Sequence, residues 1–143
     1  MNPYPGWTGA GSKLYLFGGY STEEDYLGQG LWAFSTASST WAHLSFGNEE
    51  WSAPETRANM CFGSSWGVIY VLWGALGREV DDLWVYNSAS DSWSAVPGHD
   101  EGKYPVPRER GSLLDVEGQL LLVHGTGAGT TTLLPLPPVC HFN

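Results

Sequence analysis

Asp81-Asp82-Leu83-Trp84-Val85-Tyr86-Asn87-Ser88-Ala89-Ser90-Asp91-Ser92-Trp93 decides the fold. Leu83 to Tyr86 alternates aliphatic and aromatic side chains that suit a pleated surface. Asn87 to Asp91 is turn chemistry, with side chains that bond their own backbone and tolerate tight bends. Trp93 opens a second short strand through Val96, stopped by Pro97-Gly98. The stretch therefore reads as a β-hairpin with a large aromatic on each arm.

The chain contains this hairpin twice. Leu31-Trp32-Ala33-Phe34, a Ser/Thr-rich turn from Ser35 to Thr40, and Trp41 repeat the order, with Trp32 and Trp41 spaced as Trp84 and Trp93 are. Upstream of each copy lies an apolar strand ending in glycine. Leu14 to Phe17 is stopped by Gly18-Gly19, and Val68 to Trp73 by Gly74-Ala75, which is read as the diglycine counterpart. Paired glycines there let the backbone take positive φ and come close to a neighbouring element. Ala58 to Phe62 is expected to form the strand before Val68, with Gly63 to Gly67 as the turn. A third unit opens at Pro107-Arg108, with strands at Leu113 to Val116 and Gln119 to His124, then Gly125. Arg57 to Tyr70 and Arg108 to Leu121 have equal separation, which aligns these two units. After Gly125 the pattern fails, and Thr131 to Leu134 offers at most one improvised strand before a proline-punctuated tail. No window carries a helical period with caps, so the chain reads as all-β. The expected divisions are a first unit over 1–44, a complete unit over 57–97, half a unit over 107–125 and an irregular tail over 126–143.

These residues resemble the kelch-repeat family of β-propellers. The match rests on Leu14 to Gly19, Leu31 to Phe34, Trp41, Arg57, Tyr70 to Ala75, Leu83 to Tyr86, Trp93, Arg108 and Leu121 to Gly125. The resemblance implies an incomplete arc of four-stranded antiparallel blades. Gly18, Gly19 and Gly74 would serve as close-approach points, and Trp32, Trp41, Trp84, Trp93 and Tyr86 as packing between blades. Closed propellers usually hold four to eight blades. The arc is therefore expected to belong to a longer chain, to assemble with other copies, or to fold poorly alone.

In kelch propellers that recruit proteins, contacts gather on loops at one face. The resemblance places these at the residue two after the arginine that opens a unit, which is Arg110 in the third unit and Asn59 in the second. It also places them after the diglycine, at Tyr20, Ser21 and Arg78. Arg110 is the leading candidate, since arginine is enriched among interface hot spots and its planar fork suits carboxylates. Tyr104 and Trp66 are aromatics on loops, each equally suited to anchoring a partner or to packing over a neighbour. Arg108 is expected to bond loop carbonyls inside its own unit.

Composition narrows the classes further. Of 143 residues, 15 are acidic and six basic, a net charge of −9 that repels nucleic acid and anionic membrane surfaces. Eight Trp, seven Tyr and five Phe need burial sites. Two cysteines make no disulfide framework, and Cys61 is expected to be a buried inert thiol. Met1 to Gly6 lacks the basic start and apolar core of a signal peptide, and no apolar stretch has membrane-spanning length, which points to a cytoplasmic setting. The histidines at 43, 99, 124 and 141 lack metal-ligand spacing, and His124 is read as a packed strand residue. Glu23-Glu24-Asp25 and Asp81-Asp82 follow no calcium-loop pattern and read as solvated charge runs. No nucleophile elbow, P-loop or dinucleotide fingerprint is present. The expectation is a non-catalytic interaction module for a protein partner, without cofactor. The alternative is a piece of a metal-dependent propeller enzyme, like the galactose-oxidase-like or iron-dependent specifier members, with its centre outside this chain.

Overall fold

Short apolar runs separated by tight turns become short antiparallel strands in the structure, a computed structural model that describes residues 6–21, 26–27, 30–45, 53–75, 80–96, 109–123, 125–126 and 132–134. The first sheet holds β1 (Gly6–Ala10), β2 (Lys13–Phe17), β5 (Leu31–Ser35) and β6 (Thr40–Ser45), side by side in that order. Between β2 and β5 a small ribbon pairs β3 (Tyr20–Ser21) with β4 (Tyr26–Leu27). The second sheet runs β7 (Cys61–Ser65), β8 (Val68–Leu72), β9 (Leu83–Asn87) and β10 (Ser92–Ala95). The third holds β11 (Ser112–Val116), β12 (Gln119–Val123) and β13 (Thr132–Leu134). Among the described residues there is no helix, and the arrangement is an incomplete propeller arc of antiparallel sheets.

Register shows how one unit seats the next. Phe62, Val71 and Trp84 lie abreast on one face of the second sheet, as do Ile69 and Tyr86. They pack with Tyr15, Phe17, Leu31 and Ala33 of the first sheet. The other face carries Cys61, Leu72 and Leu83 abreast, with Tyr70, Val68 and Val85 nearby, and packs on Leu113, Leu120 and Leu122 of the third. Every residue of β8 is buried because both of its faces meet a neighbouring unit. Phe17 forms ring contacts with Phe62 at 6.3 Å and Trp93 at 5.6 Å, and Tyr86 meets Trp93 at 5.1 Å. Such pairs add about 0.5–1.5 kcal/mol each beyond burial.

Glycine sets how closely the units approach. At Gly6 a Cβ would come within 2.6 Å of the Phe62 side chain. At Gly63 it would run into the Cβ of Leu113. The inner strand of each following unit thus presses a large side chain into the space that a missing Cβ leaves.

Two expectations are corrected. The inner strand of the second unit is Cys61–Ser65, not Ala58 to Phe62, and Gly63 to Ser65 lie inside it rather than in the turn. Asn59 holds a left-handed backbone at φ 57°, which keeps the strand from starting earlier. The turn narrows to Trp66-Gly67, with φ 51° and 78°, and Glu117-Gly118 repeats it at 53° and 80°. Positive φ at both central residues matches the twist of a two-residue hairpin. The second correction moves the diglycine by one residue. Strand ends align Phe17 with Leu72, so Trp73 (φ 53°) stands at Gly18 (φ 63°) and Gly74 (φ 109°) at Gly19 (φ 107°). Gly125, at φ 119°, completes the series. Only the second glycine recurs, because its φ is the harder one for an L side chain. Thr131 to Leu134 does supply a strand, β13, which pairs with β12.

Gly63→Ala should lower stability by about 1–3 kcal/mol through overpacking against Leu113. Gly9→Ala is the control, since its Cβ would meet Leu14 at an ordinary 3.7 Å, and it should stay within about 0.5 kcal/mol. Urea denaturation of both variants checks this.

A second expectation concerns alkaline pH. Burial pushes the phenols of Tyr70 and Tyr86 above the ordinary tyrosine range. The Asp115 charge adds to the shift for Tyr70, and the hydrogen bond to Asp91 adds to it for Tyr86. The folded state keeps these protons while the unfolded chain releases them near about pH 10, so stability should fall as pH rises beyond that value. The urea midpoint should drop between about pH 9 and about pH 11, and the drop should be shallower in Tyr86→Phe.

Candidate functional site

The units are tied together at one end of the sheets, where β2, β8 and β12 stop and β7 and β11 begin. Ala58 and Ala75 exchange backbone bonds of 3.0 and 2.9 Å, and Glu109 and Thr126 exchange bonds of 3.4 and 2.8 Å. Each pair forms an isolated antiparallel bridge that closes its own unit. Two further bonds cross between units: Gly19 N–H donates to the Arg57 carbonyl at 3.0 Å, and Arg110 N–H to the Asn59 carbonyl at 2.9 Å.

That last bond brings together two of the residues singled out in the sequence. Asn59 and Arg110 occupy equivalent places, one residue beyond the bridge, and both hold left-handed backbone, at φ 57° and 60°. Asparagine takes this region readily; arginine does so at a cost of about 1–3 kcal/mol. Arg110 is exposed and Asn59 half-buried. The Asn59 Nδ2 donates to Glu109 Oε2 at 3.4 Å, while its Oδ1 is buried and no described residue donates to it. The cluster therefore joins the Asn59 amide to the Glu109 carboxylate, with the exposed Arg110 next in the chain and the amide oxygen buried beneath.

Tyr20 and Ser21 follow Gly19 directly, so the β3–β4 ribbon leaves from this same end. Arg78 and Tyr104 lie outside the described residues, as do Arg108 and His124. Trp66 belongs to the opposite end, in the β7–β8 turn. There it is 85% exposed, with its Nε1 2.6 Å from where a Cβ on Gly118 would stand. It rests on the next unit's turn while leaving most of its ring in solvent.

Sequence reasoning missed the anchor beneath the site. Arg57 is 1% exposed and sends its guanidinium to both carboxylate oxygens of Asp82, through Nη1 to Oδ1 and through Nη2 to Oδ2 at 2.9 Å. It also donates to the carbonyls of Trp73 at 3.3 Å and Glu55 at 2.9 Å. Asp82 accepts in addition from Trp84 Nε1 at 2.9 Å. Asp82 is therefore no solvated charge: it locks the start of the second unit to the mouth of its outer hairpin. The available signal was an arginine opening the unit and an acid two residues before the hairpin tryptophan. Each is visible in the sequence, but nothing there pairs them.

The tryptophans divide by face. Trp84 is buried and Trp93 half-buried, both in the cluster between the first two units. Trp32 and Trp41 occupy the same places on the first sheet but face away from the second. There Trp32 lies 4.4 Å from His43 and Trp41 lies 5.1 Å from Phe34. Among the described residues, no three His, Cys, Asp or Glu side chains gather into a group suited to a metal ion. Cys61 is a fully buried thiol.

The family model of the KLHDC2/KLHL20/DRC7 Kelch-repeats domain matches residues 5–132. No curated protein matches the chain.

The anchor makes a measurable demand. Arg57→Met leaves the Asp82 carboxylate with the Trp84 indole as its remaining donor and takes the donor from the carbonyls of Trp73 and Glu55. It should cost about 1.5–3 kcal/mol, the range for hydrogen bonds to charged groups, read as a lowered urea midpoint. Asp82→Asn keeps a hydrogen-bonding group beside the guanidinium and should cost less.

Proposed function

Because the chain belongs to the kelch-repeat family, we propose that it is a non-catalytic interaction module that grips a protein partner with the loops at the bridged end of its sheets. The observation that carries this reading is the junction of Asn59 and Arg110. Equivalent residues of consecutive units meet there on main-chain scaffolding, with Arg110 exposed and Asn59 half-buried beside it. A protein segment carries the complement of the planar fork of Arg110, a carboxylate. In a chain of net charge −9, an exposed arginine on a rigid rim favours an acidic segment locally while the overall field discourages nucleic acid. Tyr20 and Ser21 on the ribbon, with Arg78 and Tyr104, complete the proposed contact set.

The test is affinity capture with quantitative mass spectrometry. The baits are the wild-type chain, an Asn59→Gly/Arg110→Gly double variant and Trp66→Ser at the opposite end. Glycine preserves the positive φ at both positions, so the fold is not strained. The double variant should lose a specific protein by at least about tenfold, as expected for a hot-spot contact above about 1.4 kcal/mol, and Trp66→Ser should retain it. Equal recovery by all three baits would remove these loops from the proposal.

A further inference from the structure

Of the large apolar side chains that stand in solvent, Leu14, Trp32, Trp41, Leu114 and Val116 belong to the first and third units, on outer faces that no described unit covers. Trp66 does not. It belongs to the second unit, which is packed on both faces, and it is 85% exposed. Units dock sideways, so a further unit would not cover the end of the sheets where this turn lies. The ring also stands where a ring is disfavoured. Trp66 is the first central residue of the β7–β8 turn, at φ 51°. That left-handed backbone is rare for a bulky side chain, and hairpin turns ordinarily give it to Asn, Asp or Gly. The bulkiest apolar side chain is thus set at a strained position and left in water, and neither choice favours folding.

The ring is held in one attitude. From the position of a Cβ on Gly118, Nε1 lies at 2.6 Å, Cε2 at 3.5 Å and Cδ1 at 3.7 Å. Distances that lengthen so much on either side of the nitrogen belong to an approach in the ring plane, along the N–H direction. The indole therefore stands on its pyrrole edge against the third unit's turn and keeps its faces in solvent. That turn carries charge of one sign. Asp115 and Glu117 precede Gly118, both exposed, and Asp115 Oδ1 accepts from the Gly118 N–H at 2.8 Å, which fixes this carboxylate beside the turn. Among the described residues the one cation at this end is Lys13, at the start of β2 in the first unit. An aromatic face beside carboxylates is the combination that suits a guanidinium, which stacks on the first and forks to the second. We propose that Trp66, Asp115 and Glu117 form a second docking point, which takes an arginine side chain from a basic segment of a protein partner. The net charge of −9 draws such a segment toward the chain. This point lies at the end opposite Asn59 and Arg110 and does not depend on the contact proposed there.

Fluorescence anisotropy tests this with a labelled, capped glycine peptide that carries two arginines, and with its citrulline counterpart, which keeps the planar group and loses the charge. Salt is held at about 0.15 M, where fields beyond about 8 Å are screened. The wild type should bind the arginine peptide and hold the citrulline peptide at least about tenfold more weakly. Trp66→Asn should weaken arginine binding at least about fivefold, equivalent to about 1 kcal/mol. Glu117→Gln should weaken it at least about twofold. Asp81→Asn, which removes an exposed carboxylate at the other end of the sheets, should leave it unchanged. Asparagine suits the left-handed turn, so the urea midpoint of Trp66→Asn should equal or exceed that of the wild type. Arginine binding that survives Trp66→Asn overturns the proposal, and a lowered midpoint in that variant assigns the ring to packing. Equal weakening by Glu117→Gln and Asp81→Asn overturns it in favour of net charge alone. Equal binding of the two peptides overturns it in favour of an apolar segment. So does a wild type that binds neither at about 1 mM, on the order of the weakest useful contact, in favour of no docking at this end.

Discussion

The structure depends on one constraint, the need of β8 to bury both of its faces at once. Val68 to Leu72 has no polar side to turn toward water except through the phenol of Tyr70, and a single sheet cannot cover two faces. The solution is lateral: Phe17, Tyr15 and Leu31 close one side, and Leu113, Leu120 and Leu122 close the other. Each side chain so buried contributes about 1.5–3 kcal/mol, and the contribution exists only while the neighbour is docked. Stability in this arc is therefore held between units rather than within them, as in other repeat architectures.

Close docking carries a geometric demand that the glycines meet. Phe62 presses toward Gly6 and Leu113 toward Gly63, so the inner strands approach as near as backbones allow. The pair of buried Arg57 and half-buried Asp82 works along a different axis. It joins the opening of the second unit to the mouth of its outer hairpin, with Trp84 Nε1 and the Trp73 carbonyl drawn into the same network. The charge is tolerated in the interior because four protein acceptors surround it: two carboxylate oxygens and two carbonyls. Packing fixes the spacing of the sheets, and this network fixes how the second one is folded upon itself.

Much of this was legible in the sequence because side-chain period and turn chemistry are local. The hairpins at Leu31 and Leu83, the glycine after each apolar strand and the matching distance from Arg57 and Arg108 all follow from residues close together in the chain. Three features were not local and were misread. The strand at Cys61–Ser65 hides among small residues, since Gly63 is chosen for Leu113, fifty positions away. Trp73 looked like the end of a strand because aromatic residues favour strands, yet it holds a left-handed backbone that ordinarily goes to glycine. Asp82 looked like surface charge because its partner lies 25 positions upstream. Of the candidate site, equivalence of position pointed to Asn59 and Arg110, but the bond that joins them is visible only when consecutive units are set side by side.

That bond has a consequence for how such a rim can change. The link from Arg110 N–H to the Asn59 carbonyl, the bridges beside it and the left-handed turns are all made by main chain. The side chain at position 59 adds a bond to Glu109, but the main-chain bonds do not run through it. The architecture therefore leaves two neighbouring positions on the rim where a substitution keeps the main-chain bonds, although the left-handed backbone favours Gly, Asn and Asp there. Within that restriction the chemistry of the rim can change while the main-chain bonds that join the sheets remain.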